Sequence, residues 1–176
     1  NETDLIAHPI QKLKKGIESS NGSLGQGISM STGIAHALIR KGFDNKVYCV
    51  VGDGECNEGI VYEALNYASH YKLKNLCIFL DLNGFQNDGS SKDVLDIGLK
   101  YKKIFESIGW EINFIKGNNE DEIRKSLSIF NMQVNEKPFV IIGETTKGCG
   151  VDVMENNNEW HHNKISKSFY EQIKSL

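Results

Sequence analysis

Four short runs are dominated by apolar residues: Val47–Val51, Leu76–Leu82, Trp110–Ile115 and Phe139–Gly143. Each is mostly continuous rather than alternating, the pattern of strands covered on both faces. Between them apolar positions recur at helical spacing. Leu24–Arg40 predicts a helix with Leu24, Ile28, Ser31, Ala35 and Leu38 on one face. Glu58–Tyr71 predicts a second, with Ile60, Val61, Ala64, Leu65 and Ala68 turned inward. Further helices are predicted over Val94–Ile108 and Glu120–Asn135, and from near Ser166 onward. Strands alternating with helices indicate an α/β fold, a parallel β-sheet flanked by helices on both faces.

Three stretches fall outside this pattern. Asn1–Ser20 has weak periodicity and reads as a segment arriving from a preceding part of a larger protein. With Asn rather than Met at position 1, the domain is expected to be N-terminally incomplete. Gly84–Asp93 is a polar loop, and Thr145–Lys164 is a loop of 20 residues. Loops that long are usually functional or disordered. No repeat or linker divides the chain, so 1–176 is expected to be a single domain.

Composition narrows the function. The net charge of −3 argues against a nucleic-acid domain held by bulk electrostatics. No apolar run approaches the roughly 20 residues of a membrane helix. Cys49, Cys56, Cys77 and Cys149 form no C-x-x-C pair and no zinc spacing. Cys49 and Cys77 sit in apolar runs, where cysteine acts as a small hydrophobe, and a reducing, cytoplasmic compartment is expected. The 17 glycines against 2 prolines imply backbone positions that need glycine for shape.

The candidate chemistry begins where the first strand runs into Gly52-Asp53-Gly54-Glu55. Ligands of open parallel sheets bind beyond the carboxyl ends of strands, and a following helix start favours phosphate. Alone, this turn is equally compatible with a solvated Asp53. The second strand ends at Asn83, so neighbouring strands would set a carboxylate and an amide oxygen side by side. With a backbone carbonyl they make a partial oxygen cage of the kind Mg²⁺ takes, phosphate and water completing it. Asp81-Leu82-Asn83-Gly84-Phe85-Gln86 fails as an EF-hand loop, no G-x-x-x-x-G-K-[ST] is present, and Gly22-Ser23-Leu24-Gly25-Gln26-Gly27 does not fit G-x-G-x-x-G. A metal–diphosphate site that is not an ordinary ATP or NAD site is the reading that remains.

Gly52-Asp53-Gly54 followed by Asn83 thirty residues on resembles the thiamine diphosphate-binding motif. Gly22–Gly27, Glu55-Cys56-Asn57-Glu58-Gly59, Thr146-Lys147-Gly148-Cys149-Gly150-Val151, and Met154-Glu155-Asn156 with Glu159-Trp160-His161 narrow the resemblance to the transketolases, over about residues 8–162. The short Gly84–Asp93 loop and the run from Met154-Glu155-Asn156 to Trp160-His161 are most similar to the split transketolases, whose N-terminal half is a separate subunit. The resemblance implies thiamine diphosphate with Mg²⁺, or Ca²⁺ or Mn²⁺ in its place. Asp53 and Asn83 would bind the metal by side chain and Phe85 by its carbonyl. Gly54 and Glu55 would offer backbone to the diphosphate, and Gly22, Ser23 and Leu24 would line the thiamine. Lys147 and His161 would face the diphosphate and the reacting carbons, with His8 facing substrate and Glu58 in a carboxylate network between paired sites. Segment 145–164 would be the active-site loop. Histidines titrating near neutrality suit the proton transfers of ketol transfer.

Plainer readings stand beside these. His8 can be solvated, Glu58 can be a helix-start charge, and either His161 or its neighbour His162 can be the matching histidine, with Trp160 setting the register for His161. His36 and His70 are expected to be structural or exposed, Trp110 core, and Lys100, Lys102 and Lys103 a solvated face. The resemblance also implies a partner: a pyrimidine-binding subunit or domain, giving a homodimer or heterotetramer that acts on sugar phosphates. The isolated chain is then expected to bind cofactor weakly and to catalyse nothing. Alternatives are another thiamine diphosphate enzyme, of the deoxyxylulose-phosphate synthase or 2-oxo-acid dehydrogenase type, or a non-catalytic binding subunit.

Overall fold

A computed structural model describes residues 8–95 and 100–174. The first helix, α1 (Gln26–Arg40), leads into strand β1 (Val47–Gly52), helix α2 (Gly59–His70) and strand β2 (Leu76–Leu82). A small hairpin follows, β3 (Phe85–Gln86) with β4 (Gly89–Ser90), then the single turn α3 (Ser91–Val94) and α4 (Lys100–Ser107). The chain continues through β5 (Glu111–Lys116), α5 (Glu120–Met132), β6 (Phe139–Glu144) and α6 (Lys167–Lys174). The main sheet is parallel throughout, in the order β1-β2-β6-β5.

Strand alternation distributes two cores. Leu76, Ile78 and Leu80 of β2 and Val140 and Ile142 of β6 point to one face, where Ile28 and Ala35 of α1, Val61, Leu65 and Ala68 of α2, and Phe105 of α4 cover them. The intervening Cys77, Phe139 and Ile141 point to the other face and meet Phe130 of α5. Two apolar faces explain the continuous apolar runs, because both sets of alternate residues are buried. Trp110 is core, with its indole N–H donating to Leu65 O at 3.2 Å. All four cysteines are free, and burial pushes the Cys77 thiol up to about 12, as befits a small hydrophobe. No helix among the described residues is long and apolar enough to cross a membrane.

Several expected boundaries change. Gly25 caps α1 in a left-handed conformation, so Leu24 precedes the helix and is 54% exposed. The buried stripe is Ile28, Thr32 and Ala35, with the Thr32 hydroxyl donating to Ile28 O at 2.8 Å, rather than one through Ser31. Val94–Ile108 is not one helix. The Ser90 side chain caps a separate turn by accepting from Asp93 N, and Leu95 is extended. Residues 96–99 of that expected helix lie outside the described residues, as do residues 1–7 of the 1–20 segment. The polar loop Gly84–Asp93 contains the β3–β4 hairpin, and the 145–164 loop contains a 3-10 turn at Asn158–His161.

Candidate functional site

The carboxyl ends of β1 and β2 are adjacent, so Asp53 and Asn83 emerge together above the sheet. The ladder pairs Gly52 with Asp81, and Asp53 N donates to Asp81 O at 3.1 Å, one step beyond the strand. Asp53 is only 4% exposed. Its Oδ1 accepts from Gly54 N at 2.8 Å, and its Oδ2 accepts from Gly84 N at 2.8 Å and from the Ser91 hydroxyl at 3.3 Å. The Tyr101 hydroxyl donates to Asp53 O at 3.0 Å. Burial raises the Asp53 pKa, the hydrogen bonds from Gly84, Gly54 and Ser91 oppose the rise, and the Asp81 charge adds to it. No basic side chain is paired with Asp53 among the described residues. A carboxylate that is desolvated, close to a second acid and without a cation is a group that a bound metal ion would stabilise.

Asn83 supplies the neutral oxygen. Its Oδ1 accepts from Phe85 N at 2.9 Å and its Nδ2 donates to Asp81 Oδ2 at 2.8 Å. Gly84, at φ 76, lets the chain reverse between them. No group of three or more His, Cys, Asp or Glu clusters to hold a metal among the described residues. The expected donors, one carboxylate, one amide oxygen and a backbone carbonyl, would be hard oxygens too few for a closed cage. That set fits Mg²⁺ sharing its coordination with phosphate oxygens. Next to the turn, a Cβ on Gly54 would lie 2.6 Å from Gln86 Cβ. Close by, Asn57 Oδ1 and Gln86 Nε2 are buried without a partner among the described residues, which fits a site that takes a polar ligand.

The glycine-rich segment joins the turn through a side chain. Glu55, expected to act by its backbone, accepts from Gly25 N at 2.7 Å and from Gly52 N at 3.2 Å. This carboxylate braces Gly22, Ser23 and Leu24 against the turn. The imidazole Nδ1 of His8 lies 4.0 Å from the position of a Cβ on Gly22, so His8 and the segment are neighbours, with the histidine exposed. Glu58 is exposed at the start of α2 and makes no side-chain cap there. Its Cβ sits 3.4 Å from a Cβ built on Gly25.

The 145–164 loop brings Lys147 and His161 together, Nζ to Nδ1 at 3.2 Å. Desolvation lowers the His161 pKa, and the charges of Lys147 and His162 lower it further. The loop closes on itself through Asn156 N donating to Lys147 O at 2.9 Å. It is hydrogen-bonded to the β3–β4 hairpin at Asn87: His162 Nε2 contacts Asn87 Oδ1, and Asn158 Nδ2 donates to Asn87 O at 3.4 Å. Asn87 Nδ2 already donates to Asp88 Oδ1, so its oxygen faces His162 and the histidine carries its proton on Nε2. The Trp160 and Phe169 rings stack 4.8 Å apart, holding the turn from behind.

Pattern and spacing do not single out Asp81, Ser91, Tyr101, Asn87 or Thr145, each of which is bonded to a named site residue or to its loop. Of these, Asp81 has the one sequence clue, its place two positions before Asn83 at the end of the same apolar run.

The family profile described as "Transketolase, thiamine diphosphate binding domain" matches residues 2–175. One of the subunits of the apulose-4-phosphate transketolase of Actinobacillus succinogenes is 38% identical over 167 residues, 95% of this chain and 59% of that protein. Human transketolase is 36% identical over 176 residues, 97% of this chain and 27% of that protein. The crystal structure of transketolase from Campylobacter jejuni superposes with a TM-score of 0.82 at 29% identity, covering 92% of this chain and 26% of that one. The chain thus spans under two thirds of the length of the Actinobacillus subunit and about a quarter of the length of the other two.

Proposed function

This chain belongs to the family of transketolase thiamine diphosphate-binding domains, and on that premise we propose that it is the diphosphate- and metal-binding half of a two-part transketolase. The observation that carries this reading is the desolvated Asp53 carboxylate, with no basic partner among the described residues, beside the amide of Asn83 at the ends of two parallel strands. Asp53, Asn83 and the Phe85 carbonyl hold Mg²⁺. The backbone of Gly54 and Glu55 meets the diphosphate, and Gly22, Ser23 and Leu24 line the thiamine. The cofactor, when bound, supplies the carbanion chemistry of two-carbon transfer. The protein orients it and manages protons. His161, whose pKa desolvation and the Lys147 charge lower, stands beside Lys147 to exchange protons with substrate, and His8 faces the substrate hydroxyls. Glu58 belongs to the carboxylate network reaching a paired site.

The similarity to single subunits of apulose-4-phosphate transketolases supports a separate partner, a pyrimidine-binding subunit, in a dimer or heterotetramer that works on sugar phosphates in the cytoplasm. The isolated chain is expected to bind cofactor weakly and turn over nothing. The test is reconstitution: the chain, a candidate pyrimidine-binding subunit, Mg²⁺ and thiamine diphosphate, with xylulose 5-phosphate as donor and ribose 5-phosphate as acceptor. Ketol transfer by the mixture and none by either part supports the reading. Turnover by the isolated chain overturns the two-part assignment.

A further inference from the structure

Asp81 occupies a place that its own strand does not require. It is the penultimate residue of β2, and its partners in both flanking strands are glycines, Gly52 in β1 and Gly143 in β6. A Cβ on Gly52 would meet nothing within 4 Å, so the space on that side is open. Paired residues of adjacent strands project to the same face, and the Asp81 carboxylate thus stands between two positions without side chains. It has no basic partner among the described residues. It uses both oxygens on neutral donors instead: Oδ2 accepts from Asn83 Nδ2 at 2.8 Å, and Oδ1 accepts from the Thr145 hydroxyl. Thr145 is itself fixed by donating its backbone N–H to Leu82 O at 3.1 Å.

We propose that Asp81 is a positioning residue for Asn83: it fixes which end of that amide faces the metal, while Thr145 fixes Asp81. The inference rests on the cofactor reading above. The two ends of an asparagine amide have nearly the same shape and opposite chemistry, and only the oxygen ligates a hard cation. An ionised carboxylate only accepts, so it takes the NH₂ end of Asn83 and leaves Oδ1 turned toward Phe85 N and the metal position. Thr145 opens the loop that carries Lys147. The same carboxylate therefore ties the metal amide to the root of the loop bearing the Lys147–His161 pair.

Asp81→Asn keeps the shape and removes the constraint, because an amide can offer Asn83 either a donor or an acceptor. The first readout is the Asn83 side-chain NH₂ resonance pair of the ¹⁵N-labelled chain without cofactor, assigned by its absence in Asn83→Asp. In the unaltered chain the two protons are widely separated and exchange slowly; in Asp81→Asn they move to exposed-amide positions. The second is Mn²⁺ affinity in the presence of thiamine diphosphate, followed by the electron paramagnetic resonance of free Mn²⁺. It falls about 10- to 100-fold in Asp81→Asn, as for other residues behind a metal ligand, and about two- to tenfold in Thr145→Val, the cost of one hydrogen bond. A lowered thermal midpoint with unchanged resonances and unchanged Mn²⁺ affinity overturns the proposal. If Asp81→Asn does not fold, unchanged affinity and resonances in Thr145→Val overturn it equally. The Mn²⁺ measurement is made with the partner subunit present; if the unaltered chain so paired takes up no Mn²⁺ with the cofactor, the cofactor reading fails, and the amide resonances alone decide the role of Asp81.

Discussion

The two halves of the candidate site are built by different means. The platform at the ends of β1 and β2 is continuous with the sheet. Asp53 extends a ladder, is 4% exposed, and has both oxygens held by backbone N–H groups. The 145–164 loop leaves the sheet at β6. It is largely exposed and is tied back by side chains: the contacts at Asn87, the Trp160–Phe169 stack and the Lys147–His161 pair. Backbone bonds fix atoms to the accuracy of the fold, as a metal site demands. Side-chain ties on an exposed loop are worth less and open more easily. The contrast suits a site in which one half holds a cofactor and the other closes over it.

Removing one group from each half should have unequal effects. Asp53→Ala takes away the only carboxylate in the proposed metal set and is expected to weaken Mg²⁺-dependent thiamine diphosphate binding by the complex with the partner subunit by more than about 100-fold in calorimetric titration, near the upper end for loss of a charged ligand. Asp53→Asn, which keeps the size of the side chain, should fall almost as far. His161→Ala should cost only about tenfold in the same titration, the lower end for one side-chain hydrogen bond to a charged group. Equal losses would mean that both halves hold the cofactor alike.

Glycines draw the same distinction with a smaller effect. Gly148 lies in the loop at φ 74, and a Cβ there would sit 2.4 Å from Met154 O. Gly148→Ala meets a backbone atom and a strained conformation together, and should destabilise the closed loop by about 2–3 kcal/mol. The readout is faster proteolysis and amide exchange over 146–158, with little change in the global urea midpoint. Gly52 is the reverse case. Its Cβ position is open, so Gly52→Ala should alter stability by less than about 0.5 kcal/mol. The added methyl enters the space beside Asp81, and its effect should appear in cofactor affinity. If Gly148→Ala lowers the global midpoint as well, the loop is part of the cooperative core.

How far the sequence foretold these halves follows from the same physics. β2 has the bounds that its apolar run indicates, Leu76–Leu82, because both alternating sets of side chains are buried and the run stops where burial stops. The proximity of Asp53 and Asn83 was legible for that reason: strand ends plus parallel pairing suffice. Leu24 was misplaced because a left-handed Gly25, not the apolar pattern, starts α1. The division at Val94 depends on the Ser90 cap, a local hydrogen bond that periodicity does not record. The docking of His162 on Asn87 joins loops 75 residues apart through exposed polar atoms, for which a single sequence carries no spacing rule.

The subtlest difference between the halves is how each responds to acid. Burial raises the Asp53 pKa, so the charged carboxylate is a burden to the platform above the ordinary carboxylate range, one that a bound metal ion would relieve. His161 runs the other way. Its folded pKa lies below the ordinary 6.5, first through desolvation, then through Lys147 and His162. The closed loop therefore gains stability from neutral His161 above pH 6.5 and loses it as pH falls through the depressed value. Lys147→Met removes the second cause and leaves the first. The His161 ring resonances should then titrate closer to 6.5, yet still below it, while in the unaltered chain they titrate lower. Desolvation by the loop and the charge of Lys147 are thereby separated. A midpoint that does not move would show that Lys147 and His161 are not held at 3.2 Å in solution, and that the loop half of the site is assembled only when a ligand or partner closes it.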